Sequence, residues 1–470
     1  MAGSGRSSRG SGRASRRSQE KDGKAGPALH ERVAQRLAAW VRPGDRLAVG
    51  LSGGLDSVAL LDCVARAARR LRVRVSALHV DHGLSPRSAR WAAFCRRLCR
   101  ARGVPFRAVK VSVAPGASVE AAARAARYAV YAAAPAEFVL LAHHQDDQVE
   151  TFLLQLLRGA GVRGLAAMPS VRPAAAGGAR RPPARILRPF LDEPRAEILA
   201  YARSRGLRWI EDESNRDLAI RRNFLRREVL PRLAQRFPGY RTAIARAARH
   251  LSEAAALLDE LAQGDAAGFL DGETLAVEAL RRLAPARARN LLRYFLARCG
   301  LPMPPAERLE EALRQALEAR GDARVRVDLG GASLRRFGGR LYVVRAAPAA
   351  PQGFARRWRG EREIALPELG GVLEMRRTRG KGLSLVRLRG APVTVRVRAG
   401  GERLRPDPRR PRRTLKNLLH ERGVPPWERE RLPLLFHGER LAWAAGVGAD
   451  CTYSAQPGEL GVEPCWRPLA

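Results

Sequence analysis

The feature that most constrains this chain is the alternation of short apolar runs with longer helical stretches between residues 46 and 158. Arg46 to Leu51 (RLAVGL), Val73 to Val80 (VRVSALHV), Phe106 to Val111 and Phe138 to Ala142 read as strands. Asp56 to Arg70, Ser88 to Arg102, Ser118 to Ala133 and Asp146 to Arg158 read as helices. Strands and helices in this rhythm predict a parallel sheet with right-handed crossovers. The expected fold class is α/β, with a doubly wound, Rossmann-like parallel sheet as the N-terminal domain. Such sheets bind ligands beyond the carboxyl ends of their strands.

Beyond this domain the pattern loosens. Pro169 to Pro189 is rich in Pro, Ala and Gly and reads as a surface loop. A mainly helical unit follows and ends in an expected hairpin over Val325 to Val344. Ala346 to Gly353 (AAPAAPQG) reads as a linker, and strand-like runs such as Val393 to Val397 open a compact basic unit. The expected division is a disordered basic arm over 1–28, a catalytic domain over 29–232 and a mainly helical RNA-binding domain over 233–348. A linker with strands over 349–390 and a small α+β basic domain over 391–470 complete it. No internal repeat is evident.

The 86 Lys and Arg against 46 Asp and Glu leave a formal charge of +40, which raises the local concentration of polyanions. Arg in place of Lys fits a GC-rich codon bias, but that bias does not explain so few acids. Nucleic acid is the expected partner, since neutralised phosphates release counterions. No apolar run is long enough for a membrane span, and the Ser, Gly and Arg rich start has no apolar segment for a secretory signal. The six cysteines form no CxxC pair, which points to incidental thiols in a cytoplasmic protein.

Ser52-Gly53-Gly54-Leu55-Asp56-Ser57 follows the first strand and opens the first long helix. Paired glycines let backbone N–H groups approach an anion, and the helix start favours negative charge. Ser52 and Ser57 add hydroxyls. Asp56 would repel a bare phosphate, so its place is better explained through a bridging Mg²⁺. The pattern is not GxxxxGK[ST], which disfavours the P-loop NTPases.

His143 to Thr151 (HHQDDQVET) starts a helix after a strand. Asp147 and Glu150 are three residues apart and share a helix face, where they can hold an ammonium group, a metal ion, or both. The alternative is an acid-rich first turn that complements the helix dipole. Adjacent His143 and His144 are poorly placed to converge on zinc. In SVEAAARAARY, Arg124 or Arg127 can clamp a phosphate or stabilise departing charge.

The SGGLDS loop resembles the pyrophosphate-binding loop of the N-type ATP pyrophosphatases, the PP-loop family. That resemblance implies the adenine nucleotide α-hydrolase-like fold and cleavage of ATP between its α and β phosphates. With HVDHGL (79–84), HHQDDQVET, LLRGAG (156–161) and WIEDESNRDLAIRRNFLR (209–226), the chain resembles the tRNA(Ile)-lysidine synthetases. RAGGERLRP (398–406) and LKNLLHERGVPPWERERLPLL (415–435) carry the likeness into the last domain.

The resemblance implies that the wobble cytidine of an isoleucine tRNA with a CAU anticodon is adenylated on its C2 oxygen. The ε-amine of free L-lysine then displaces AMP, leaving lysidine and changing codon and amino-acid specificity from Met to Ile. It implies that Ser52, Gly53, Gly54, Leu55, Asp56 and Ser57 bind ATP and that Asp147 and Glu150 hold lysine. Asp56, Arg127, Asp147 and Glu150 become the catalytic candidates, and Asp56 with Asp146 the Mg²⁺ contacts. Arg222, Arg403, Arg405, Arg412, Arg413 and Lys416 are the expected tRNA contacts. A homodimer is compatible with this reading. Trp427 can stack on a base or pack in a core. Rival readings are a cytidine 2-thiolase, which needs reactive cysteine pairs, an amide synthetase, which often carries a glutaminase segment, and a non-catalytic RNA-binding protein, which would have lost loop residues.

Overall fold

The alternation is realised as a six-stranded sheet. This computed structural model describes residues 28–468 apart from 84–85, 113–118, 175–182, 212–216, 321–324, 347–350 and 352. The expected basic arm, most of the 346–353 linker and the DESN block therefore lie outside the described residues. The chain splits into two compact units, 1–255 and 256–470.

In the first unit the strands are β1 (Arg46–Gly50), β2 (Arg74–Asp81), β3 (Phe106–Lys110), β4 (Phe138–Leu140), β5 (Val171–Pro173) and β6 (Arg185–Leu187). Their order is β3-β2-β1-β4-β6-β5, parallel except where β5 runs against β6. Central strands covered on both faces must be apolar throughout, and Leu47, Ala48 and Val49 of β1 and all of β4 are buried. Because side chains alternate, Leu47 and Val49 enter one core with helices α1 (Leu29–Ala38), α2 (Leu55–Leu71) and α3 (Ser88–Arg100). Ala48 enters another beneath α4 (Val119–Ala132).

The stretch 169–189, expected as a surface loop, supplies β5 and β6 instead. Ile186 and Leu187 pair with Val139 and Leu140 in register. Three residues between prolines are too few to show a strand period, so tertiary pairing decided what local pattern could not.

Two further helices, α5 (Gln145–Leu156) and α6 (Val162–Leu165), follow β4, and α7 (Arg195–Ser204) follows β6. A broken helix then comprises α8 (Arg221–Phe224), a π-helical turn (Leu225–Val229) and α9 (Leu230–Arg236). The division between the units falls within α10 (Tyr240–Asp265).

Strands β2 and β3 lie on one side of β1, and β4 and β6 on the other. The order reverses between β1 and β4, which opens a crevice at their carboxyl ends. Glu137 ties the opposite ends of the same strands, accepting from the Arg46 amide at 2.7 Å and from its guanidinium at 3.2 and 2.5 Å. Those side-chain bonds, against the opposing effect of burial, hold the Glu137 carboxyl down at about 2. A depressed carboxylate stabilises the fold above its unfolded pKa and loses that contribution as pH falls through the folded value. Glu137→Gln should therefore cost roughly 1 kcal/mol at pH 7, a figure kept small because the pair is partly exposed. Denaturant titration should show the gap to the parent chain closing as pH falls toward about 2.

The second unit opens with β7 (Leu270–Asp271), β8 (Thr274–Ala276) and helices α11 (Val277–Arg281), α12 (Pro285–Arg298) and α13 (Ala306–Glu318). The expected hairpin is present as β10 (Ala332–Phe337) and β11 (Arg340–Arg345), extended by β9 (Arg326–Asp328) into a sheet ordered β7-β8-β11-β10-β9. Helices and sheet share a core around Leu291, Phe295, Leu334 and Leu341. Residues 355–468 add three antiparallel sheets, of five, four and two strands, in the first of which Val393–Arg396 is paired with Leu434–His437. Trp427 packs its ring on Tyr342 at 5.4 Å and Phe337 at 6.3 Å, with Arg335 at 5.2 Å from its centroid. Its packing role, rather than base stacking, accounts for these contacts.

Candidate active site

The SGGLDS loop and the HHQDDQVET helix start leave the carboxyl ends of the neighbouring strands β1 and β4. His79 on β2 is buried, and its Nδ1 lies 2.8 Å from the Leu51 carbonyl, which fixes where the loop begins. Gly53 has φ +91, and a Cβ there would come within 3.1 Å of Ile210 Cδ1 and 3.2 Å of Cys95 Sγ. Only glycine meets both demands without strain. The Ser57 hydroxyl accepts from the Ser52 and Gly53 amides, each at 3.2 Å, and donates to the Gly54 carbonyl at 3.0 Å. Gly54 caps the 17-residue α2 without a side-chain hydrogen bond. The first-turn amides of α2 thus lack a side-chain acceptor from the cap, the arrangement that suits an anion.

Asp56 stands in that first turn. Its Oδ1 is buried with no hydrogen-bond partner, and burial raises its carboxyl above the usual range despite His144 and Arg195 nearby. A buried carboxylate oxygen that no hydrogen bond engages, with Arg195 Nε 3.7 Å away, fits Mg²⁺ beside a phosphate-type loop, since that ion takes one or two carboxylates and completes its shell with phosphates and water. Asp146 is placed differently. Its Oδ1 accepts from Arg241 Nε at 2.7 Å and its Oδ2 from the Arg195 amide at 2.9 Å, so both oxygens are engaged. Among the described residues no cluster of three or more His, Cys, Asp or Glu forms a metal site.

His144, 2% exposed, joins the two motifs. It caps α5, its Nδ1 accepting from the Asp147 amide at 3.4 Å while Asp147 Oδ2 accepts from the His144 amide at 3.1 Å. Its Nε2 lies 3.5 Å from Asp147 and 3.8 Å from Asp56 Oδ2. Burial pushes His143 down to about 3, so it is a neutral imidazole.

Asp147 and Glu150 do share one face of α5, and one cation bridges them. Arg226 donates to Glu150 through Nε at 2.7 Å and Nη2 at 3.0 Å, and Nη2 reaches Asp147 Oδ1 at 3.4 Å. Glu150 is fully buried, and burial holds its carboxyl above the usual range in spite of Arg226. Burial pushes Asp147 the same way, but His144, Arg222 and the hydrogen bond from the His144 amide outweigh it and hold that carboxyl low. Sequence reasoning missed Arg226. The signal was the RRNFLRR run, which is helical at Arg222 but passes through a π turn at Arg226. Such turns displace the helix register and often mark functional positions.

Arg222, expected at the RNA, lies instead against α5, with Nε 3.5 Å from Glu150 and Nη2 donating to Thr151 at 3.0 Å. Arg127 donates from Nε to His82 Nε2 at 3.1 Å, beyond the end of β2. Cys95 and Cys99 are buried free thiols. Burial pushes them up to about 12 and about 11, which makes them unreactive.

The expected RNA contacts of the last domain are unequal. Arg412 pairs with Asp450 at 3.1 Å and Arg413 with Glu421. Arg405 is steered by its amide bond to Asp450 at 2.8 Å, while Arg403 and Lys416 are exposed. Asp450, 0% exposed, is therefore the anchor of the basic run, and nothing in its local sequence singles it out.

Comparison with known proteins agrees with this geometry. A PP-loop domain model matches residues 28–233, a TilS substrate binding domain model 275–342, and a TilS substrate C-terminal domain model 393–466. The tRNA(Ile)-lysidine synthase of Nitrosomonas europaea is 46% identical over 438 residues, covering 92% of this chain and 94% of that protein. The synthase of Azoarcus sp. is 43% identical over 435 residues, covering 92% and 94%. That of Methylococcus capsulatus is 38% identical over 439 residues, covering 92% and 98%. Likeness of this extent, spanning both units, places the chain in the tRNA(Ile)-lysidine synthase family.

Proposed function

We propose that this chain uses ATP to join lysine to C2 of the wobble cytidine of an isoleucine tRNA with a CAU anticodon, releasing pyrophosphate and AMP. The observation that carries the reading is the meeting of Asp56 and Asp147 at His144, which sets the phosphate loop beside the acidic helix start in one crevice. Adenylation turns a poor leaving oxygen into a good one, and the remaining task is to hold an amine beside the activated carbon.

In this reading Ser52 to Ser57 grip the departing diphosphate with amides and hydroxyls. Asp56 supplies the protein's contact to Mg²⁺, which would neutralise phosphate charge. Asp147 holds the amino acid and takes the proton that the attacking amine must lose, while Glu150, fully buried with both oxygens on Arg226, fixes that guanidinium beside it. Arg226, its side chain 35% exposed, offers a guanidinium to the amino acid's carboxylate. Arg127 stabilises charge developing on the phosphates. We assign residues 29–232 to catalysis and 233–348 with 391–470 to capture of the tRNA in the cytoplasm. There Arg403, Arg405, Arg412, Arg413 and Lys416 position the RNA backbone.

A chase experiment tests the order of steps. With ATP labelled at the α-phosphate and no lysine, label is expected on the tRNA, and added lysine should release it as AMP. Lysine attachment without any RNA-bound AMP would remove the adenylation step from the account.

A further inference from the structure

Three arginines distant in sequence meet around one phenol. Arg124 lies on α4, Arg172 on β5, and Arg188 directly after β6. The guanidinium carbons of Arg124 and Arg172 lie 4.9 and 4.6 Å from the Tyr128 ring centroid, and Arg124 Nη2 donates to the Tyr128 hydroxyl at 3.3 Å. Arg188 is 2% exposed, and donates from Nε to His143 Nδ1 at 3.2 Å and from Nη1 to the Pro169 carbonyl at 2.6 Å. None of these partners is an anion.

Among the described residues no carboxylate forms an ion pair with Arg124, Arg172 or Arg188, whereas Arg195, Arg222, Arg226 and Arg241 are all so paired. The Nε of Arg172 is also buried without a hydrogen-bond partner. The field of the cluster is visible at its centre. Burial would raise the Tyr128 phenol, but Arg124, Arg188 and Arg172 together pull it below its ordinary value.

A buried cation without a counter-ion is costly. Arg188 is such a cation, and with the half-buried Arg172 and the exposed Arg124 beside it, none of them paired with a carboxylate among the described residues, the cluster describes a site whose anion arrives with the substrate. Flat guanidinium forks match the oxygens of a phosphoryl group, and a cluster of them binds it through several charge-assisted bonds. We propose that Arg124, Arg172 and Arg188, scaffolded by Tyr128, form a cradle for a phosphoryl group at the carboxyl ends of β4 and β6. The group belongs to the nucleotide or to the RNA backbone next to the reacting base. That choice of donors rests on the function proposed above, while the cradle itself rests on the unpaired arginines.

The test uses full-length Arg172→Gln, Arg124→Gln and the double variant. Arg188 is left intact because its bonds to Pro169 and His143 hold the local backbone. Equilibrium binding of ATP and of the CAU tRNA is measured without turnover, the tRNA at several salt concentrations. Each lost charge-assisted contact should weaken one ligand by roughly tenfold. Weakening confined to ATP assigns the cradle to a nucleotide phosphate. Weakening confined to tRNA, with the salt slope falling by about one per arginine removed, assigns it to the RNA backbone. Arg172→Lys should recover part of either loss, which a purely structural role would not predict. Unchanged affinity for both ligands, or an effect on lysine alone, overturns the proposal. Because binding is read without chemistry, such a failure leaves lysidine formation by the parent chain as a separate result.

Discussion

Replacing Asp56 by alanine or asparagine is expected to abolish lysidine formation, with a loss of roughly 10²–10³-fold or more, while tRNA affinity stays within about twofold. The side chain sits in the first turn of α2 with one oxygen buried and not hydrogen-bonded, 3.7 Å from Arg195 Nε. An acid left in that state is costly, and burial accordingly raises its pKa over the opposing influence of His144 and Arg195. The sign of the stability effect follows. A carboxyl whose folded pKa is raised favours the fold at pH values below its unfolded pKa and weakens it once ionised. Asp56→Asn should therefore unfold at a higher temperature than the parent chain at neutral pH, and the difference should disappear below pH 3.8. A variant that gains stability and loses turnover marks a residue kept for chemistry. If tRNA affinity fell in step with turnover, Asp56 would instead be holding the RNA-binding surface together.

Arg226→Ala should be strongly destabilising. It leaves the fully buried Glu150 with only the longer, 3.5 Å contact to Arg222. Stranding a buried charge in this way costs about 3–5 kcal/mol. The penalty arises from the ionised carboxylate, so it should be full at neutral pH and shrink as Glu150 takes up a proton under acid conditions. Arg226→Lys should recover little, since an ammonium group cannot reproduce the fork on Glu150. The double variant Arg226→Ala with Glu150→Gln should recover much of the stability and none of the lysine-dependent activity. A double-mutant cycle on unfolding free energy, paired with KM for lysine, separates the two roles. Additive stability losses would contradict the pairing.

What was legible in the sequence follows physical lines. The strands β1 and β2 and helices α2 and α5 announce themselves through apolar runs and caps, and SGGLDS reads as a loop between strand and helix because its glycines permit nothing longer-ranged to compete. The crevice was harder. That β4 lies beside β1 depends on strand order, which no local pattern carries, and β6 hides among prolines as three residues. The same limit explains Arg226 and Asp450. Each matters through a partner 76 or 45 residues away, and a charge in a basic chain gives no local hint of whether it faces water, a carboxylate or a ligand. Arg222 illustrates the reverse error, a basic residue read as an RNA contact whose charge is used inside the fold.

The central claim is that one crevice, between the loop after β1 and the helix after β4, activates a nucleobase with ATP and delivers lysine to it. The most direct measurement is transfer of labelled lysine, with ATP and Mg²⁺, to unmodified isoleucine and methionine tRNAs that share the CAU anticodon. Label is expected on the wobble nucleoside of the isoleucine tRNA alone. Label on neither tRNA, or on both equally, would contradict it.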